Sequence, residues 1–146
     1  MKLLRRPARL ALLAVLDVAI HARGRPVSSK EIAARYDLPP RRLEALLQAM
    51  VRAGVLTSIR GPAGGYELAR ERRRICVGEI VRIALRVDDG SQEGACLLDR
   101  VMDPTLAAAE ARALTYLDGV TLDEIYASAL ALEMADGPKA RGDFDI

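Results

Sequence analysis

Arg41 and Arg42 stand side by side with Glu44 two residues on, and Arg60 heads the run Gly61, Pro62, Ala63, Gly64, Gly65. These residue types suit contact with nucleic acid. A guanidinium can donate bidentately to guanine O6 and N7, and a carboxylate can accept from cytosine N4. Glycines let a backbone come close to a phosphate or to the minor groove. Two arginines on a helix end are also ordinary solvated groups, so the weight falls on what surrounds them. Other reactive residues are sparse: two cysteines, Cys76 and Cys96, and one histidine, His21. There is no nucleophile elbow, no phosphate-loop motif and no cluster of metal ligands. No catalytic constellation can be built from them, and the chain is not expected to be an enzyme.

The elements that carry these residues follow from periodicity and punctuation. Leu10, Leu13, Leu16 and Ile20 give a first helix from Pro7 to Arg23, ended by Gly24 and Pro26. Ser28 with Glu31 three residues on is a capping box, opening a short helix to about Tyr36. After Asp37, Pro39 and Pro40, the spacing of Leu43, Leu46, Leu47, Met50 and Val51 marks a third helix, and Gly54 is its expected stop. Arg41 and Arg42 then occupy its first turn, the end that enters the major groove in helix-turn-helix proteins. Val55–Ile59 reads as a strand, Arg60–Gly65 as a turn and Tyr66–Leu68 as the returning strand. Such a hairpin after the third helix is a wing, and it is too short to stand without the helices. A charged link, Arg70–Arg74, leads to a fourth helix over Val77–Leu85.

In the second half, Asp103-Pro104 predicts the start of a long helix and Gly119 its stop. Leu106, Ala109, Ala113 and Leu117 make a narrow stripe of small and apolar residues, expected to pair with a symmetry mate. Thr121 and Glu124 form a second capping box for a helix to about Ala135. The chain is therefore expected to be mainly α with a small β-hairpin. Residues 1–85 form a winged helix-turn-helix domain, 86–102 a sensor-type loop, 103–135 the dimerisation helices and 136–146 a disordered tail.

Charge divides along the same line. Residues 1–86 hold 18 Lys+Arg against 7 Asp+Glu, a balance of +11, and residues 87–146 hold 4 against 13, a balance of −9. A basic half fits a polyanion, and the acidic half fits something that must not bind one. The longest apolar run, Leu10 to Ile20, contains Asp17 and is too short to span a bilayer. The arginines before it resemble the start of a signal peptide, but no A-x-A-like site follows. Two cysteines twenty residues apart make no disulfide framework, so a reduced, cytoplasmic protein is expected, with no membrane contact. A winged-helix adaptor that binds protein is the alternative, although it has no need of eleven excess positive charges on the winged half.

The run Arg60-Gly61-Pro62-Ala63-Gly64-Gly65-Tyr66, after Gly54-Val55-Leu56, resembles the R-G-P-x-G-G-Y wing of the IscR/NsrR-type (Rrf family) winged-helix transcriptional regulators. Leu16-Asp17-Val18-Ala19, Leu43-Glu44 and Val77-Gly78-Glu79-Ile80 extend the similarity over residues 1–85, with a looser match through Val120-Thr121-Leu122. The resemblance implies a cytoplasmic homodimer that pairs through the long helix and binds double-stranded DNA at a dyad-symmetric operator, most simply as a repressor. By similarity Arg41, Arg42 and Glu44 would read bases, with Arg60, Gly64 and Gly65 at the wing contact and Arg9 contributing from the first helix. An aromatic common at the position of Leu10 is missing. The sensor also departs. Cluster-binding members carry three cysteines in the loop before the long helix, and here that loop holds only Cys96. Members with one loop cysteine use Glu and His from the partner protomer's first helix, where this chain has Arg9 and Leu13. No cofactor is therefore expected and no [2Fe–2S] cluster. Cys96 is then either a surface thiol with no role or a redox or metal-responsive thiol, and Cys76, between Ile75 and Val77, is expected to be a buried core thiol.

Overall fold

The computed structural model describes residues 6–87 and 97–136. Helix α1, Arg6–His21, is buried along most of its girth through Leu10, Ala11, Ala14, Val15 and Val18, so it runs through the centre of the molecule. Helix α2, Ser29–Tyr36, opens on the expected capping box: the Ser28 hydroxyl accepts from the Glu31 N–H at 3.2 Å, and the Glu31 carboxylate accepts from the Ser28 N–H at 2.8 Å. Helix α3, Pro40–Arg52, buries Leu43, Leu46, Leu47 and Met50 on one face. It stops where Gly54 turns left-handed at φ 76°.

Strands β1, Leu56–Ile59, and β2, Gly65–Leu68, pair antiparallel with Leu56 opposite Leu68 and Ile59 opposite Gly65. The hairpin does not stand alone. Val27, just before α2, bridges to Tyr66: its N–H donates to the Tyr66 carbonyl at 3.0 Å and its carbonyl accepts from the Tyr66 N–H at 2.8 Å. A 3-10 turn, Arg72–Arg74, then leads to α4, Val77–Val87, α5, Leu97–Asp118, and α6, Leu122–Asp136. The second capping box forms as expected, with the Thr121 N–H donating to Glu124 at 2.7 Å and the Glu124 N–H donating to the Thr121 hydroxyl at 3.3 Å.

One core joins α1, α2, α3, the hairpin and α4, and takes in Leu122 and Tyr126 of α6. A smaller cluster lies on the α4–α5 seam, where Ala8, Val77 and Val81 meet Ala113, Leu114 and Leu117. The fold is mainly helical with one small antiparallel sheet, as expected.

Two expectations are corrected. Helix α5 begins at Leu97, six residues before Asp103, with Pro104 inside it. Proline removes one backbone bond, that to the Arg100 carbonyl. The residues before it include Leu97, Leu98, Arg100 and Met102, strong helix formers that keep the preceding turn helical. The expected loop 86–102 thus shrinks at both ends, since residues 86 and 87 belong to α4. Cys76 is the second correction. It is only partly buried: it alternates with the buried Ile75 and Val77 at the backbone bridge to Thr121. Residues 88–96, with Cys96, and the expected tail after Asp136 lie outside the described residues.

Candidate nucleic-acid interface

The arginines fall into two sets. One set is engaged within the fold. Arg35 binds the buried carboxylate of Asp17 at 2.5 Å. Arg70 donates to the Gly54 and Arg74 carbonyls and to Glu79, bracing the link after β2. Arg82 binds Asp118 across the α4–α5 seam through both carboxylate oxygens. Arg72 donates to Asp123 at 3.1 Å and lies 3.7 Å from the ring centroid of Tyr126, whose hydroxyl accepts from Arg23. The other set is not: Arg9, Arg41, Arg42 and Arg60, like Arg6, Arg52, Arg74, Arg86, Arg100 and Arg112, are exposed and form no ion pair among the described residues.

Arg41 and Arg42 are the second and third residues of α3. Leu43, which follows, is fully buried, and Glu44 is again exposed. The buried face thereby turns both guanidinium groups and the Glu44 carboxylate outward. An exposed cationic helix start beside a carboxylate has the chemistry of base-edge readout.

Arg60 is exposed and follows directly on β1. Gly64 and Gly65, expected at the wing contact, are half-buried, and both are glycine for reasons internal to the fold. A side chain on Gly64 would overlap the Ile59 carbonyl and come within 2.9 Å of the Gly61 oxygen. On Gly65 it would overlap the Val27 carbonyl and come within 2.8 Å of the Ser28 nitrogen. Close approach is needed, but to the protein's own backbone.

Tyr66 is the buried member of this wing, and its hydroxyl accepts from the Gln48 side-chain amide of α3 at 3.1 Å. Burial pushes its phenol up from the ordinary range, the Gln48 bond lowers it, and the charge of Glu44 raises it again. The sequence patterns do not pair Gln48 with Tyr66. The available signal is that Gln48 lies one turn after Glu44 on α3, on the row facing the wing.

The expected α5 stripe divides. Leu106 and Ala109 are exposed, while Ala113 and Leu117 are half-buried against the chain's own Ala8, Val77 and Val81. The exposed apolar surface of α5 continues toward its start through Met102, Val101, Leu98 and Leu97, the last 76% exposed.

Among the described residues no three of His, Cys, Asp and Glu converge to hold a metal ion. His21 lies 3.5 Å from Asp17, and Cys76 sits at the Thr121 bridge. The thiolate and imidazole donors that a [2Fe–2S] cluster requires are not gathered by these residues, and the chain holds only one further cysteine. Nor is any helix among them long and apolar enough to cross a membrane.

Comparison with known proteins gives a consistent picture. A family model described as Rrf2, iron-dependent transcriptional regulator, matches residues 4–128. The HTH-type transcriptional regulator IscR of Pectobacterium carotovorum subsp. carotovorum (strain PC1) is 33% identical over 143 residues, covering 94% of this chain and 85% of that protein. IscR of Yersinia enterocolitica is 32% identical over 133 residues, covering 88% and 81%. Among solved structures, T. potens IscR matches with a TM-score of 0.67 at 31% identity, over 94% of this chain and 93% of that one. CymR (YrzC), the global cysteine regulator of B. subtilis, matches with a TM-score of 0.64 at 26% identity, over 86% and 96%.

Proposed function

The chain belongs to the Rrf2 family of transcriptional regulators, and from that premise we propose that it binds duplex DNA as a homodimer and represses transcription from a dyad-symmetric operator. The observation that carries this reading is the exposed Arg41 and Arg42 in the first turn of α3, which form no ion pair among the described residues. In the proposed complex that turn enters the major groove, where Arg41, Arg42 and Glu44 meet base edges. Arg60 at the wing and Arg9 on α1 meet the backbone. Gly64 and Gly65 serve the wing by shaping it. The engaged arginines hold the scaffold and leave Arg41, Arg42, Arg60 and Arg9 to the DNA.

Dimerisation runs through α5. Its first half offers Leu97, Leu98, Val101, Met102, Leu106 and Ala109 to solvent, and two copies would bury this surface isologously. The family description is iron-dependent, yet this chain lacks the cysteines for a [2Fe–2S] cluster, and we infer that it carries none. Signal then enters by another route, with Cys96 as the candidate thiol. Iron and sulfide analysis after purification without oxygen checks this point, and about one cluster per protomer would contradict it. We infer that it works in the cytoplasm, where an operator would be reached.

Selection of duplexes from a random-sequence pool by the purified protein tests the main reading. Enrichment of a palindromic sequence is expected. A pool that stays random, from a folded protein, would contradict it.

A further inference from the structure

We propose that Tyr66 is a positioning residue that locks the wing to the recognition helix, setting where Arg60 stands relative to Arg41 and Arg42. The inference rests on the DNA-binding reading above and deepens it.

Three separate segments meet at Tyr66. Its backbone exchanges two hydrogen bonds with Val27, the residue before the α2 N-cap. It stands opposite Ser58 in the β1–β2 register. Its side chain is buried, with only the hydroxyl reaching a polar partner, the Gln48 amide on α3. A hairpin of two four-residue strands has little stability of its own, so its angle to the helices is set by such ties. The neighbouring glycines make the same point. Gly65 must lack a side chain for Val27 to approach, and Gly64 must lack one for the turn to close on the Ile59 carbonyl. The run Gly64-Gly65-Tyr66 therefore assembles the wing, and Arg60 is left as its exposed charge.

The hydroxyl is the removable part of this arrangement. Tyr66→Phe keeps the packed ring and deletes the side-chain bond that, among the described residues, joins the wing to α3. Its effect should travel through Arg60, since only the wing is released. A loss of fold stability alone would instead weaken Tyr66→Phe and Arg60→Ala independently.

The test is a double-mutant cycle on the full chain, read by fluorescence anisotropy on the duplex that the wild-type protein enriches and on a random duplex. Tyr66→Phe is expected to weaken both duplexes by about 2–10-fold, the equivalent of one hydrogen bond. The double variant should stay within about twofold of the weaker single variant, the usual error of additivity. Gln48→Met breaks the same bond from the α3 side and should reproduce the result, including where Tyr66→Phe does not fold. Wild-type affinity in both hydroxyl-pair variants, or full additivity with Arg60→Ala, overturns the proposal. A wild type that binds no duplex overturns the DNA-binding reading, and this inference with it.

Discussion

Arg35 holds Asp17 by both carboxylate oxygens, its Nη1 lying 2.6 and 2.5 Å from them, although Asp17 is almost wholly withdrawn from solvent. The pair ties α1 to α2, and α2 in turn packs on α3. Arg35→Ala would leave a buried carboxylate with only the Tyr36 hydroxyl at 2.8 Å and His21 at 3.5 Å. Breaking a buried pair typically costs about 3–5 kcal/mol. The Arg35 side chain is 31% exposed, so water screens part of the interaction. A loss of about 2–4 kcal/mol is expected in urea unfolding. An unchanged midpoint would show that the tie contributes nothing to stability.

Tyr36 gives the same cluster a signature in pH. Burial, then its bond to Asp17, push the phenol above its ordinary value of 10.0. A raised folded value means that the folded state keeps the proton after the unfolded chain has released it. The stabilisation is complete below about pH 10 and falls as pH climbs toward the folded value. Tyr36→Phe, which deletes the hydroxyl's bond to the buried Asp17 carboxylate, should be less stable than wild type at pH 7, with the gap narrowing above pH 10. Denaturant midpoints across pH 7–11 check this, and a gap that widens with pH would refute it.

Readout should divide between helix and wing. Arg41→Ala or Arg42→Ala is expected to cost about 1–3 kcal/mol on the enriched duplex and to relax its preferred sequence, if that guanidinium is bidentate to guanine. Arg60→Ala should weaken enriched and random duplexes alike, as a backbone contact does. Competition titrations decide, and equal losses on both duplexes for all three variants would contradict the division.

The sequence carried the order of elements well, for physical reasons that particular residues make plain. Ser28 with Glu31 and Thr121 with Glu124 form the boxes their spacing predicts, and Gly54 stops α3. These signals are local and do not depend on the tertiary fold. Pro104 misleads because one missing N–H is tolerated within a 22-residue helix. Ala113 looks like part of an intermolecular stripe, and only the fold shows Val77 and Val81 already against it. Periodicity tells which face of a helix is apolar, not which neighbour covers it. The excess of positive charge over residues 1–86 is legible in the sequence. Which arginines are free is a matter of tertiary partners such as Asp17, Asp118 and Asp123, 18 to 51 residues away in sequence.

The dimer prediction shifts accordingly along α5. Leu106→Glu would place two like charges in the proposed desolvated seam, and light scattering should report monomer with unfolding little changed. Ala113→Glu should instead lower stability by striking the chain's own α4–α5 packing. A Leu106→Glu protein that remains dimeric would place the interface elsewhere.

The central claim, that the basic winged half neutralises DNA phosphates, is tested most directly by the salt dependence of binding to the enriched duplex. If each protomer neutralises about four phosphates, a dimer covers about eight, and the slope of log K against log salt should lie near −7, at roughly −0.9 per phosphate. Arg60→Ala should flatten it by about one to two units. A slope near zero, or no binding even at low salt, would contradict the account.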